Sequence, residues 1–165
     1  MRALVVDDSR LARNELKRLL KEFDTVEVIG EAANAEDAKE KIESEKPDLI
    51  FLDIQMPGKS GFELLEELEM IPDVIFTTAY DEYALKAFEY NALDYLQKPV
   101  QSDRLAGAIS KVAERREKKR ASNDEHDYMT ANDQVFVKDG ERCWFVQLSE
   151  VRLFEVDGNY TKVIF

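Results

Sequence analysis

Four short runs in this chain end in residues that can do chemistry. Ala3-Leu4-Val5-Val6 ends at Asp7-Asp8, and Leu49-Ile50-Phe51-Leu52 ends at Asp53. Val74-Ile75-Phe76 runs into Thr77-Thr78, and Asp94-Tyr95-Leu96-Gln97 runs into Lys98-Pro99. Short apolar runs bounded by turn signals read as buried parallel strands. In an open α/β sheet the carboxyl ends of such strands hold the ligand site. Parallel strands all point one way, so these four ends meet at one rim. Three carboxylates at close range repel, at about 4 kcal/mol for a pair 4 Å apart in an effective dielectric of 20. A hard divalent cation relieves this, and Mg²⁺ fits because it takes one or two carboxylates plus waters and phosphate oxygens. A lysine and a threonine hydroxyl at the same rim suit the remaining oxygens of a phosphoryl group. The set reads as a site for an aspartyl phosphate on Asp53 with one Mg²⁺.

Helices must lie between these strands. Leu11, Ala12, Leu16, Leu19 and Phe23 recur at helical spacing, and Ser9 is a candidate cap. Val26 to Ala32 reads as a strand, and Asn34 caps a polar helix over Ala35 to Glu45 that Pro47 stops. Phe62, Leu65 and Leu68 mark a helix after Gly61, and Asp81 to Tyr90 a short one. Ser102 is expected to cap a last helix with Leu105, Ile109 and Val112 on one face. Five strand–helix units in about 118 residues predict a five-stranded doubly wound α/β domain with a parallel sheet.

The basic tract Lys111 to Arg120 carries six basic and two acidic residues. It reads as a solvated helix end, favoured by the helix dipole, running into a polar stretch that holds the single histidine, His126. Past Tyr128 the texture changes. Val135 to Val137 and Cys143 to Val146 flank Lys138-Asp139-Gly140-Glu141, a hairpin signal, and Asp157-Gly158-Asn159 marks another. The expected division is a domain over 1–118, a linker over 119–127 and a short all-β segment over 128–165. Fewer than about 40 residues of strand make too little core to stand alone, so the second domain is expected to be cut short.

The whole chain has 165 residues, 44% of them hydrophobic, and a net charge of −12. That balance argues against wrapping nucleic acid by charge alone. One cysteine, Cys143, excludes an internal disulfide and fits a reducing, cytoplasmic setting. The apolar run at the N-terminus is too short for a signal peptide, and no run is long enough to span a bilayer.

Asp7-Asp8, Asp53 with Met56-Pro57 and Gly61, Thr78-Ala79, and Tyr95-x-x-Lys98-Pro99 resemble the receiver domain of two-component response regulators, a flavodoxin-like fold. The resemblance implies a protein that is not an enzyme and that takes a phosphoryl group from a sensor histidine kinase onto Asp53. It implies Mg²⁺ on Asp8, Asp53 and the main-chain carbonyl of Gln55, with Asp7 helping through water. Lys98 would pair with the phosphate, after a cis peptide to Pro99. Thr78, rather than Thr77, would be the switch hydroxyl, and Tyr95 the aromatic that reports the state. Gln55 and Tyr80 would gate dephosphorylation. Tyr83, Lys86, Glu89 and Tyr90 would lie on or near the face that forms a homodimer on phosphorylation.

Leu153 to Thr161, a phrase containing Val156-Asp157-Gly158-Asn159-Tyr160, looks like the start of a LytTR-type DNA-binding domain. It implies promoter DNA as the partner of the complete domain, with no membrane involved. Two other readings stay open: a receiver acting only through protein contacts, and an Asp-nucleophile phosphatase. The phosphatase pattern wants a second Asp where this chain has Gln55.

Overall fold

A computed structural model describes residues 1–79, 94–121, 131, 134–139, 142–157 and 160–165. In chain order the elements are β1 (Arg2–Val6), α1 (Arg10–Leu20), β2 (Glu27–Ala32), α2 (Ala35–Glu45), β3 (Leu49–Asp53), α3 (Gly61–Glu66), β4 (Asp73–Thr78), β5 (Asp94–Gln97) and α4 (Ser102–Ala121). Then come β6 (Gln134–Asp139), β7 (Arg142–Gln147), a 3₁₀ turn Leu148–Glu150, β8 (Leu153–Asp157) and β9 (Tyr160–Ile164). The expected helix over 81–90 lies outside the described residues, as do Tyr80, Tyr83, Lys86, Glu89 and Tyr90.

β1 to β5 form one parallel sheet in the order β2-β1-β3-β4-β5. This is the expected doubly wound, flavodoxin-like sheet. The strand order reverses between β1 and β3, and at such a switch point the flanking connections leave to opposite sides and open a crevice. The continuous apolar runs have their reason here, because both faces of the sheet are covered. Leu4, Val6, Ile50, Leu52 and Phe76 pack against Ala38, Ile42, Leu64 and Leu65 of α2 and α3. Val5, Phe51, Ile75 and Leu96 pack on the other face against α1 and α4. Burying one such side chain is worth roughly 1.5–3 kcal/mol, so the sheet is held firmly from both faces. The C-terminal strands form two antiparallel pairs, β6·β7 and β8·β9, where the hairpins are expected.

Local chemistry sets the element ends. The Ser9 hydroxyl accepts from Ala12 N, and Asn34 Oδ1 from Asp37 N. Ser60 and Glu63 make a reciprocal capping box at the start of α3. Three details differ from the sequence reading. Helix α3 ends at Glu66, leaving buried Leu68 on the following turn. Ser102 lies inside α4, and its hydroxyl donates to Glu22 Oε2. Helix α4 runs on to Ala121, into the expected linker, and its basic tract is partly paired rather than simply solvated. Lys111 Nζ lies 2.9 Å from Asp94 Oδ2, and Arg116 Nη2 lies 2.8 Å from Asp48 Oδ1. Arg116 ties the helix to the amino ends of β3 and β4, where Asp48 and Asp73 stand.

Two glycines fix the segment after Asp53. Gly58 has φ +88°, which favours glycine. At Gly61 a Cβ would stand 2.4 Å from the main-chain oxygen of Asp53 and 3.0 Å from Leu52 Cγ. The helix start is thus pressed against the strand end, and Gly61 N donates to Ile54 O at 2.9 Å. Gly61→Ala must push backbone apart, so it should cost about 1–3 kcal/mol, the usual range for overpacking. Urea denaturation measures this, and an unchanged midpoint would mean that the contact is free to relax.

Candidate functional site

The switch point delivers the acids. Asp7 and Asp8 follow β1, and Asp53 is the last residue of β3. Each carboxylate places an oxygen within 4.8 Å of the other two, with Asp7 and Asp53 buried and Asp8 exposed. Lys98, at the end of β5, reaches across β4. Its Nζ lies 2.8 Å from Asp53 Oδ2 and 2.5 Å from Asp7 Oδ2. The Lys98-Pro99 peptide is cis, as expected, and Lys98 N donates to Thr78 O at 2.7 Å.

Main-chain donors orient the acids. Ser9 N donates to Asp7 Oδ1 at 2.9 Å, and Gln55 N to Asp53 Oδ1 at 3.2 Å. Ile54 and Met56 are buried and draw the loop after Asp53 back onto the core. Gln55 between them is exposed, at the mouth of the site. A cleft of about 320 Å³ opens beside the carboxylates, with Asp7, Ser9, Leu11, Thr77, Lys98 and Pro99 among its lining.

The two threonines part company by strand alternation. Thr77 shares the face of Ile75, toward α1 and α4, and lines the cleft. Thr78 is fully buried on the face of Val74 and Phe76. Tyr95 pairs in register with Phe76 and packs against that same cluster. The residues expected to act together as a switch, Thr78 and Tyr95, therefore share one face of the sheet.

Sequence reasoning missed Arg13. It is buried, and its Nη1 donates to the main-chain oxygens of Asp7 at 2.7 Å and Asp8 at 3.2 Å. Its place in the second turn after the acidic pair was the available signal, because helical side chains lean back toward the N-terminus.

Charge is unbalanced at the rim. Burial pushes the Asp53 carboxyl above the ordinary carboxylate range. The Lys98 hydrogen bond and charge oppose that rise without cancelling it, and the Asp7 carboxylate adds to it. Burial works against the Lys98 ammonium, yet the hydrogen bonds to Asp53 and Asp7 outweigh it and hold its pKa above the usual lysine value. Among the described residues one ammonium pairs with two of the three carboxylates, which leaves negative charge in excess there. All the donors are hard oxygens, the set that suits a divalent cation of the Mg²⁺ type.

A group whose folded pKa is raised favours folding at low pH and opposes it once ionised. Asp53→Asn removes that ionised group with little change of shape. It should stabilise the metal-free protein at neutral pH by about 0.5–2 kcal/mol, the usual gain from relieving a functional site. The advantage should shrink as the pH falls through the raised Asp53 value. Thermal melts across that range test it, and a variant less stable than wild type at neutral pH would contradict it.

Residues 3–110 match the family described as the response regulator receiver domain. The sensory transduction protein LytT of Bacillus anthracis is 46% identical over 120 residues, covering 71% of this chain and 49% of that protein. The transcriptional regulatory protein BtsR of Salmonella typhi is 44% identical over 124 residues, covering 74% and 52%. Among solved structures, the response regulatory domain of protein mrkE from Klebsiella pneumoniae superposes with a TM-score of 0.62 at 32% identity, covering 72% of this chain and 99% of that one. The chain spans about half the length of the curated relatives it matches.

Proposed function

The chain belongs to the response regulator receiver family, and from that premise we propose that Asp53 accepts a phosphoryl group from a phosphohistidine on a sensor kinase. The observation that carries this reading is the buried Asp53 carboxylate at the carboxyl end of β3, held against Lys98 and crowded by two further acids. An Asp53 oxygen attacks phosphorus, the P–N bond to the donor imidazole breaks, and the imidazole leaves with that electron pair. Lys98, already within 2.8 Å of the acceptor oxygen, follows the charge onto the phosphoryl oxygens in a charge-assisted contact. The Thr78 hydroxyl, which lies at the end of β4 on the other face, would have to turn toward the rim to donate to another of them.

Mg²⁺ would be held by Asp8, Asp53 and the Gln55 main-chain carbonyl, with Asp7 through water, and would supply neutralising charge for the phosphoryl oxygens. Gln55 and Tyr80 stand two positions after the acceptor and the switch threonine. Neither is a carboxylate that would orient water as a base, which favours a long-lived phosphate.

In this reading phosphorylation biases a two-state element made by Thr78 and Tyr95, and so changes the face that Tyr83, Lys86, Glu89 and Tyr90, which lie outside the described residues, are expected to lie on or near. A homodimer through that surface is the proposed output. The proposed organisation is a receiver over 1–118, a linker over 119–127 and a LytTR-like segment over 128–165. The complete domain binds promoter DNA, in the cytoplasm, where the kinase partner presents its phosphohistidine. Two relatives support a regulatory role by their names, sensory transduction for one and transcriptional regulation for the other.

Acetyl phosphate tests the reading without the kinase. With Mg²⁺ it should add one phosphoryl group to the protein, seen in the intact mass. Asp53→Ala should lose that product, and Lys98→Ala should slow its formation at least tenfold. An undiminished yield from Asp53→Ala would sink the assignment.

A further inference from the structure

Arg13 is a buried cation beside a site built for a cation, and charge alone would make it a liability. It is only 8% exposed. Nη1 donates to the main-chain oxygens of both Asp7 and Asp8, the residues whose side chains face the rim. Nε makes no hydrogen bond among the described residues and lies 3.6 Å from Glu31 Oε1.

Glu31 is itself fixed. Lys17 pairs with its carboxylate. That hydrogen bond is the main reason its carboxyl titrates below the ordinary range, with Arg13 adding its charge. Lys41 Nζ donates to the Glu31 main-chain oxygen at 2.6 Å, and Asp7 N donates to Ala32 O at 3.1 Å. The end of β2 is thus pinned on both sides. Arg13 spans from this anchored carboxylate to the two carbonyls of the acidic turn.

We infer that Arg13 is a positioning residue for Mg²⁺, bracing the Asp7-Asp8 turn against the end of β2 so that both carboxylates are set before the ion arrives. The inference rests on the metal reading given above. Partners that orient ligands commonly matter as much as 10- to 100-fold in metal affinity. Here the sign separates geometry from charge. A nearby cation repels Mg²⁺, so removing it should tighten binding if charge were its only influence. If Arg13 braces the turn, removing it weakens binding.

Calorimetric titration of the 165-residue chain with Mg²⁺ decides between these. Arg13→Met removes charge and reach. Arg13→Lys keeps the charge, but its nitrogen falls about one bond short of Nη1. Both should bind Mg²⁺ roughly tenfold more weakly, or worse. Leu19→Val, a mild change in the α1 core away from the turn, should bind as wild type does. Tighter or unchanged binding by Arg13→Lys or Arg13→Met overturns the inference. So does an equal loss in Leu19→Val, which would assign the effect to helix packing. If Arg13→Met fails to fold, Arg13→Lys decides alone. Wild type that takes up no Mg²⁺ would defeat the functional reading itself, and this inference with it. Normal wild-type binding with unaltered Arg13 variants would defeat the inference alone.

Discussion

Too much negative charge at one place is the condition the rest of the domain serves. Asp7, Asp8 and Asp53 bring three carboxylates together, and among the described residues one ammonium, that of Lys98, pairs with two of them. Left to itself such a cluster would fly apart or take up protons; burial is what chiefly pushes the Asp53 carboxyl above the ordinary range, and the Asp7 carboxylate adds to it. It persists because the backbone beneath it is held by burial from both faces of the sheet. The stability of the core therefore maintains a local electrostatic deficit, the condition under which a divalent cation and an incoming phosphoryl group gain most from binding.

The topology makes the deficit possible with few residues. In the order β2-β1-β3-β4-β5, the strands that carry the acids are neighbours, and their carboxyl ends open on the crevice at the switch point. Lys98 comes from β5, two strands away from β3, so it reaches the acids from the side rather than from below. The loop after Asp53 cannot drift, because Ile54 and Met56 are buried and Gly61 brings the next helix against the strand end. Thr78 and Tyr95 lie on the opposite face from Thr77, away from the cleft side of the sheet.

The acids and the threonines were legible in the sequence because they end apolar runs, and Lys98 because it ends a short strand-like run before a proline; the strand period turns position in a run into position in space. The alternation of strands with helical spacing likewise gave the doubly wound sheet, and the two hairpin signals gave β6·β7 and β8·β9. What escaped was the work of long basic side chains. Arg13 and Arg116 carry no periodic signature for their partners, which lie across the fold: carbonyls of the acidic turn and the end of β2 for one, Asp48 and Asp73 for the other. Ser102 was misplaced as a cap because its competing partner, Glu22, is 80 residues away in sequence.

The central claim is that Asp53, and not one of the neighbouring carboxylates, forms the bond to phosphorus. Borohydride reduces an acyl phosphate to an alcohol and leaves free carboxylates alone, so it marks the acceptor permanently. Wild-type protein treated with acetyl phosphate and Mg²⁺, reduced and digested, should carry that alcohol at position 53 by fragment mass. The mark on Asp7 or Asp8 instead, with position 53 unaltered, would contradict the account.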